Sequence, residues 1–200
     1  MSLGNNSGRF TYVNIKKGQL VVKKENEFSY FSFIAGYLKD LEIRDDEFNG
    51  KKYKKLCLML TDNDEDFQLQ MKLDSGYGIA FSMMVPNIDL KQMVKITPTY
   101  KEVDNKGKAG MFINQSGKAL KWFWTRDNPG HLPPMEQTEF KGETLWDNTK
   151  QQTFLIDYLL NTIKPALGHS IVDGPAHQLD EKERDPNPSD ITEPVDDLPF

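Results

Sequence analysis

The chain has 200 residues, of which 38% are hydrophobic and 11% aromatic, with a formal net charge of -5. That is enough apolar material for one domain with a buried core, which excludes wholesale disorder. No apolar run approaches the roughly 18 residues of a spanning helix, the N-terminus lacks the charged-then-apolar pattern of a secretory signal, and the one cysteine, Cys57, cannot close an internal disulfide. No membrane role is expected, and the lone thiol suits a reducing cytoplasm.

The charge is unevenly divided. From Asp173 to Phe200 nine acids face only Lys182 and Arg184, a net of -7, while the other 172 residues carry 23 basic and 21 acidic side chains, a net of +2. A weakly basic body with a strongly acidic tail is a pattern of nucleic-acid-binding proteins, although an acidic terminus also serves solubility alone.

Residues 1–8 read as a flexible lead-in, 9–168 as the folded domain and 169–200 as a disordered acidic tail. Arg9 to Lys16 and Gln19 to Lys24 are strand-like about a Lys17-Gly18 turn, a hairpin. Residues 27–43 read as one long aromatic strand bent at Gly36, in which Phe31, Phe33 and Tyr37 could belong to either face. A loop is expected at Asp45 to Gly50. In 51–61, Leu56, Leu58 and Leu60 alternate with Tyr53, Lys55, Cys57 and Met59. After an acidic turn, Phe67, Leu69, Met71 and Leu73 alternate with Gln68, Gln70 and Lys72. Period two with one apolar face predicts an antiparallel sheet, packed on one side and wet on the other.

Ile79 to Val85 reads as a short helix stopped by Pro86, and Lys91 to Lys101 as a strand. Asp104 to Lys108 is a turn. Ala109 to Asn114 and Lys118 to Trp124 form the last strand or strand pair. Residues 126–148 read as a loop marked by proline and glycine. A helix follows, with Thr149 and Gln152 as a capping box and Leu155, Leu159 and Ile163 on one stripe, ended by Pro165 and Gly168. Its expected role is to dock on the sheet or on a second subunit.

This order of elements over residues 27–125 resembles the oligonucleotide/oligosaccharide-binding (OB) fold. The resemblance implies a mainly β protein: a five-stranded Greek-key barrel with an added N-terminal hairpin, a C-terminal helix and the acidic tail. A β-sandwich is the competing architecture.

Catalytic machinery is not expected. His131, His169 and His177 sit in loops or tail, at no metal-ligand spacing to a cysteine or carboxylate. Cys57 in mid-strand reads as a structural thiol. Gly110 and Gly117-Lys118 lack the spacing and hydroxyl of a phosphate loop. Asp62, Asp64, Glu65 and Asp66 crowd one turn but lack the glycine and distal glutamate of a calcium loop. No cofactor or metal is expected.

Basic and aromatic residues interleave on the predicted wet face, as single strands require: phosphates are attracted to Lys and Arg, and bases stack on rings. The candidate DNA contacts are Lys51, Lys52, Tyr53 and Lys55 on the second barrel strand and Lys72 on the third. Lys101, Lys106 and Lys108 lie about the last turn, and Trp122, Trp124 and Arg126 at the final strand. A Trp-Phe-Trp strand serves a core more often than a platform, and a lysine-rich hairpin is often only a solvated face.

The chain closes on Asp196-Asp197-Leu198-Pro199-Phe200. This resembles the acidic C-terminal tip of bacterial and phage single-stranded DNA-binding proteins. The resemblance implies a barrel that coats single-stranded DNA in replication, recombination and repair, and a tip that recruits partner enzymes through Phe200, its carboxylate and the aspartates. A longer body and shorter linker than the bacterial members have point to a phage or mobile-element relative and leave the family's tetramer, or any homo-oligomer, open. An adaptor that binds proteins and no nucleic acid is the alternative.

Overall fold

The computed structural model describes residues 10–168 apart from 64, 105, 141 and 142. The lead-in and the tail, including Asp196, Asp197, Leu198, Pro199 and Phe200, lie outside the described residues. What is described is mainly β. Among the described residues no helix is long and apolar enough to cross a membrane.

The N-terminal hairpin forms as expected. Strands β1 (Thr11–Lys16) and β2 (Gln19–Lys24) join through Lys17 and Gly18, both at positive φ (47° and 75°), the two-residue turn that matches strand twist. The aromatic run that reads as one strand is two. β3 (Glu27–Phe31) returns along β2, and its last pair is Phe31 with Leu20, where β2 is nearly exhausted. The chain therefore breaks away at Ser32-Phe33 and starts β4 (Ile34–Phe48) elsewhere.

β4 runs on through the expected Asp45–Gly50 loop. The reversal is confined to Asn49 and Gly50, again both at positive φ, so Asp45, Asp46 and Glu47 are strand residues facing Lys54, Tyr53 and Lys52 of β5 (Lys51–Asp62). β4 also serves two partners: Ile34–Gly36 pair with β7 (Val94–Val103), and Tyr37–Phe48 pair with β5. The irregularity falls between Leu38 and Asp40, just beyond the predicted bend at Gly36, where one extra residue bulges from the ladder.

β6 (Glu65–Lys72) pairs with β5, and β8 (Lys106–Gln115) with β7. The expected last strand is cut to β9 (Lys118–Ala119). Beyond it the Phe123 N–H donates to the Met83 carbonyl at 2.8 Å and the Asn87 amide to the Lys121 carbonyl at 2.9 Å. The chain has peeled off the sheet, and its backbone groups find partners on Met83 and Asn87 instead.

The nine strands form one sheet in the order β3-β2-β1-β6-β5-β4-β7-β8-β9. Of its pairings only β1 with β6 is parallel. The sheet does not close, because the second edge of β6 is taken by β1 and never reaches β8. Helix α1 (Gly76–Met84), capped by the Ser75 side chain and followed by a short turn through Pro86, bridges that gap. Its first glycines allow the approach: a Cβ on Gly76 would collide with the Ala109 carbonyl of β8, and one on Gly78 with the Lys72 and Leu73 carbonyls. The turn of the N-terminal hairpin reaches the same place, where the Gly18 N–H donates to the Tyr77 hydroxyl at 2.9 Å.

Leu56, Leu58 and Leu60, all fully buried, meet Leu41, Leu69, Ile96, Ile113 and Phe81 in the main core, as the alternation requires. The predicted wet face is not uniformly wet: Cys57 is 0% exposed and Gln68 is also buried.

Three expectations for residues 126–168 are corrected. The loop contains a separate hairpin, β10 (Glu136–Phe140) and β11 (Glu143–Asp147). The final helix is α2 (Thr149–Tyr158), a π turn (Leu159–Ile163) and α3 (Lys164–Gly168), so Pro165 lies inside it. Proline clashes with the carbonyl four residues back, and the wider π turn before it opens that spacing. The cap differs as well: Asp147, not Gln152, accepts from the Thr149 N–H (2.9 Å), and the Gln152 amide donates to the Asn148 side-chain oxygen (2.8 Å). Leu159, Ile163 and Leu167 dock into the main core, and the Lys164 ammonium donates to the Leu41 carbonyl (2.9 Å) beside the β4 bulge. The stripe thus docks on the sheet.

Candidate nucleic-acid interface

Strand register decides which side chains share the outer face. Arg44 lies opposite Lys55, and Lys55 opposite Lys72. Asn14 lies beside Gln70 in the last pair of the parallel ladder, and Lys16, two residues on, shares the face of Asn14 on β1. Lys72, Lys55 and Arg44 thus form one basic row across three adjacent strands, β6, β5 and β4, and Lys16 stands on the same sheet face of β1, past the end of its ladder with β6. Strands lie about 4.8 Å apart, so the row spans roughly 10 Å.

Carboxylates clasp most of it. Asp46 pairs with Lys55 and accepts from the Tyr53 hydroxyl at 2.9 Å. These bonds, with Lys55 first, hold its carboxyl down at about 2. Arg44 pairs with Glu42, whose carboxyl is lowered chiefly by that hydrogen bond, and Lys72 lies 3.5 Å from Asp74. The Lys72 ammonium also sits 5.2 Å from the centre of the Tyr53 ring. Three of the predicted contacts, Tyr53, Lys55 and Lys72, are therefore one assembly, whose cations are shared with acids rather than waiting for a ligand. Cys57, next along from Lys55, is pushed up by burial and stays a thiol.

The other predicted residues fall elsewhere. Lys51 and Lys52 are exposed at the tip of the β4–β5 hairpin, Lys51 opposite Phe48 and Lys52 opposite Glu47. Lys101 and Lys108 are direct cross-strand partners on β7 and β8, with Lys106 opposite Val103 beside them. All three are exposed.

Trp122 and Trp124 are not in a strand. Trp124 is 3% exposed and forms a second core with Met83, Leu132 and Leu155. Its ring stands edge-on to Phe123, Phe154 and Tyr158, with centroids 5.1–5.5 Å apart. It has no open face for a base, which corrects its expected role. Trp122 is half-buried against both cores, and Arg126 is exposed in the following loop.

Sequence reading missed three rings on the same outer face. Tyr12 on β1 is 56% exposed, Phe28 on β3 57% and Tyr30 on β3 51%. Tyr12 lies beside Gln68, Phe28 is opposite Lys23, and Tyr30 is opposite Val21. The signal was available: Tyr12 and Asn14 alternate with Val13 and Ile15, so Tyr12 had to face outward. Phe28 and Tyr30 were obscured because their run reads as part of the next strand. A further pair, Phe33 with the Lys95 ammonium 4.2 Å from its ring centre, lies where β4 meets β7.

Among the described residues no group of three or more His, Cys, Asp or Glu side chains is arranged to hold a metal ion. Comparisons with protein-family models, characterised proteins and solved structures return no match to this chain.

Proposed function

We propose that this chain binds single-stranded DNA without sequence preference, coats it during replication, recombination or repair, and recruits partner proteins through Asp196, Asp197, Leu198, Pro199 and Phe200. The observation that carries the reading is the row Lys72, Lys55 and Arg44, with Lys16 on the same sheet face, flanked by the Tyr53 ring and by amides of Asn14 and Gln70. A line of cations beside rings suits a polyanion whose bases each carry a π face.

The order β4-β5-β6-α1-β7-β8, with the long β4 shared between β5 and β7, supports an OB-like body elaborated by β1–β3. In that reading the outer face of β5 and β6 corresponds to the binding face, and the lysines of the β7–β8 hairpin flank it.

The test is a titration of labelled oligo-dT followed by fluorescence anisotropy at two salt concentrations. About four neutralised phosphates give a log–log slope near -3, so a fourfold rise in salt should weaken binding by about fiftyfold. Absence of binding at low salt sinks the proposal; retained binding to a protein partner would then favour the adaptor.

The acid clasp makes a second prediction. Asp46→Asn removes the carboxylate that occupies Lys55, and the same titration should report severalfold tighter binding at low salt, converging with wild type at high salt. Unchanged affinity would mean that Lys55 does not touch phosphate.

A further inference from the structure

We infer that the main base-stacking platform lies not on the β5–β6 face but on the added β1–β3 meander, formed by Tyr12, Phe28 and Tyr30. The inference rests on the single-strand reading and locates the bases within it.

Two of the rings stand on the edge strand β3, and all three are left uncovered on one face. Phe28 and Tyr30 stand in mid-strand, not at a turn, and every residue of β3 is exposed. Leaving three rings more than half exposed on one face forgoes the burial that usually employs them. On β5 and β6 the situation is reversed: Cys57 and Gln68 are buried, Gln70 is bonded to Gln68 at 2.6 Å, and the hydroxyl of Tyr53 is held by Asp46. That stretch offers cations and amides but little open ring surface.

The register then separates two tracks. Lys72, Lys55 and Arg44 make the basic row, with Lys16 on the same face of β1. Four residues back along β1, about 13 Å away, lies the row of Tyr12, Lys23 and Phe28, with Tyr30 in the row between. A strand whose phosphates follow the first row can turn its bases toward the second, crossing the parallel seam between β1 and β6. The rings do not form one apolar patch of the kind that docks a protein. Lys23 separates Phe28 from Tyr12 and sits 5.9 Å from the centre of the Phe28 ring, and Asn14 and Lys16 continue the face. That composition complements a polyanion with stacked bases.

The test compares Phe28→Ala/Tyr30→Ala with Tyr53→Ala in the oligo-dT titration, on full-length protein. Far-UV circular dichroism and thermal melting check that this exposed edge strand still forms. The double variant is expected to weaken binding by at least about 25-fold, and Tyr53→Ala by less than about fivefold. Tyr30→Trp should keep the affinity and add a fluorescence signal that oligo-dT quenches in step with occupancy. If the wild type binds but the folded double variant binds within about twofold of it, the platform is overturned and the single-strand reading stands; the surface then belongs to a protein partner. Tight binding by Tyr30→Trp without added quenching also overturns it. If the wild type does not bind oligo-dT at low salt, the single-strand reading itself fails, and the inference with it.

Discussion

Gly76→Ala is expected to destabilise the protein by about 1–3 kcal/mol, although alanine is the better helix former. In an exposed helix the exchange would gain roughly 1 kcal/mol. Here the new methyl group meets the Ala109 carbonyl, a backbone atom of β8 that cannot rotate aside. Either α1 lifts from β8 or the strand shifts, and both open the place where helix and hairpin turn substitute for sheet closure. Urea denaturation measures the loss. Gly168→Ala is the control: nothing lies within 4 Å of its added Cβ, so its effect should stay within about 0.5 kcal/mol. Equal stability of the two variants would mean that α1 does not press on β8.

Trp124→Ala is expected to cost more, about 3–5 kcal/mol, the usual range for removing a buried aromatic ring. The ring is the common neighbour of Phe123, Phe154 and Tyr158 and packs with Met83, Leu132 and Leu155. Its removal unpacks α2 from α1. Urea denaturation again gives the magnitude, and loss of near-ultraviolet dichroism should accompany it. A solvent-facing stacking residue predicts the reverse: stability within about 0.5 kcal/mol of wild type and a large loss of DNA affinity. The two roles are thus separated by a single variant.

What was legible in the sequence was whatever depends on neighbouring residues. The leucines of β5 alternate so cleanly that their burial follows, and Lys17-Gly18 marks its own turn. The break at Ser32-Phe33 could not be seen, because no glycine or proline signals it; β3 ends where β2 runs out of partners. The short β9 is set by distant partners, the Met83 carbonyl and the Asn87 amide, and the open sheet by the arrival of β1 at the edge of β6. On the candidate face, alternation alone places Tyr53, Lys55 and Lys72 together, as the register does. Their acid partners were hidden by reading Asp45 and Asp46 as loop. Trp124 was misplaced because the run Lys118 to Trp124 does not disclose that the chain leaves the sheet after Ala119.

The parallel seam between β1 and β6 has a consequence for the order of assembly. β4, β5 and β6 follow one another through tight turns and can zip together locally, whereas Thr11 must find Phe67 across everything between them. The first three strands are made first during synthesis, yet their docking edge does not exist until β6 has emerged. The meander should therefore join late in folding and open first in the native state. In amide hydrogen exchange β3 should lose its protons well ahead of β5, and DNA, if it stacks there, should slow that exchange by clamping the last-formed part of the sheet to the first.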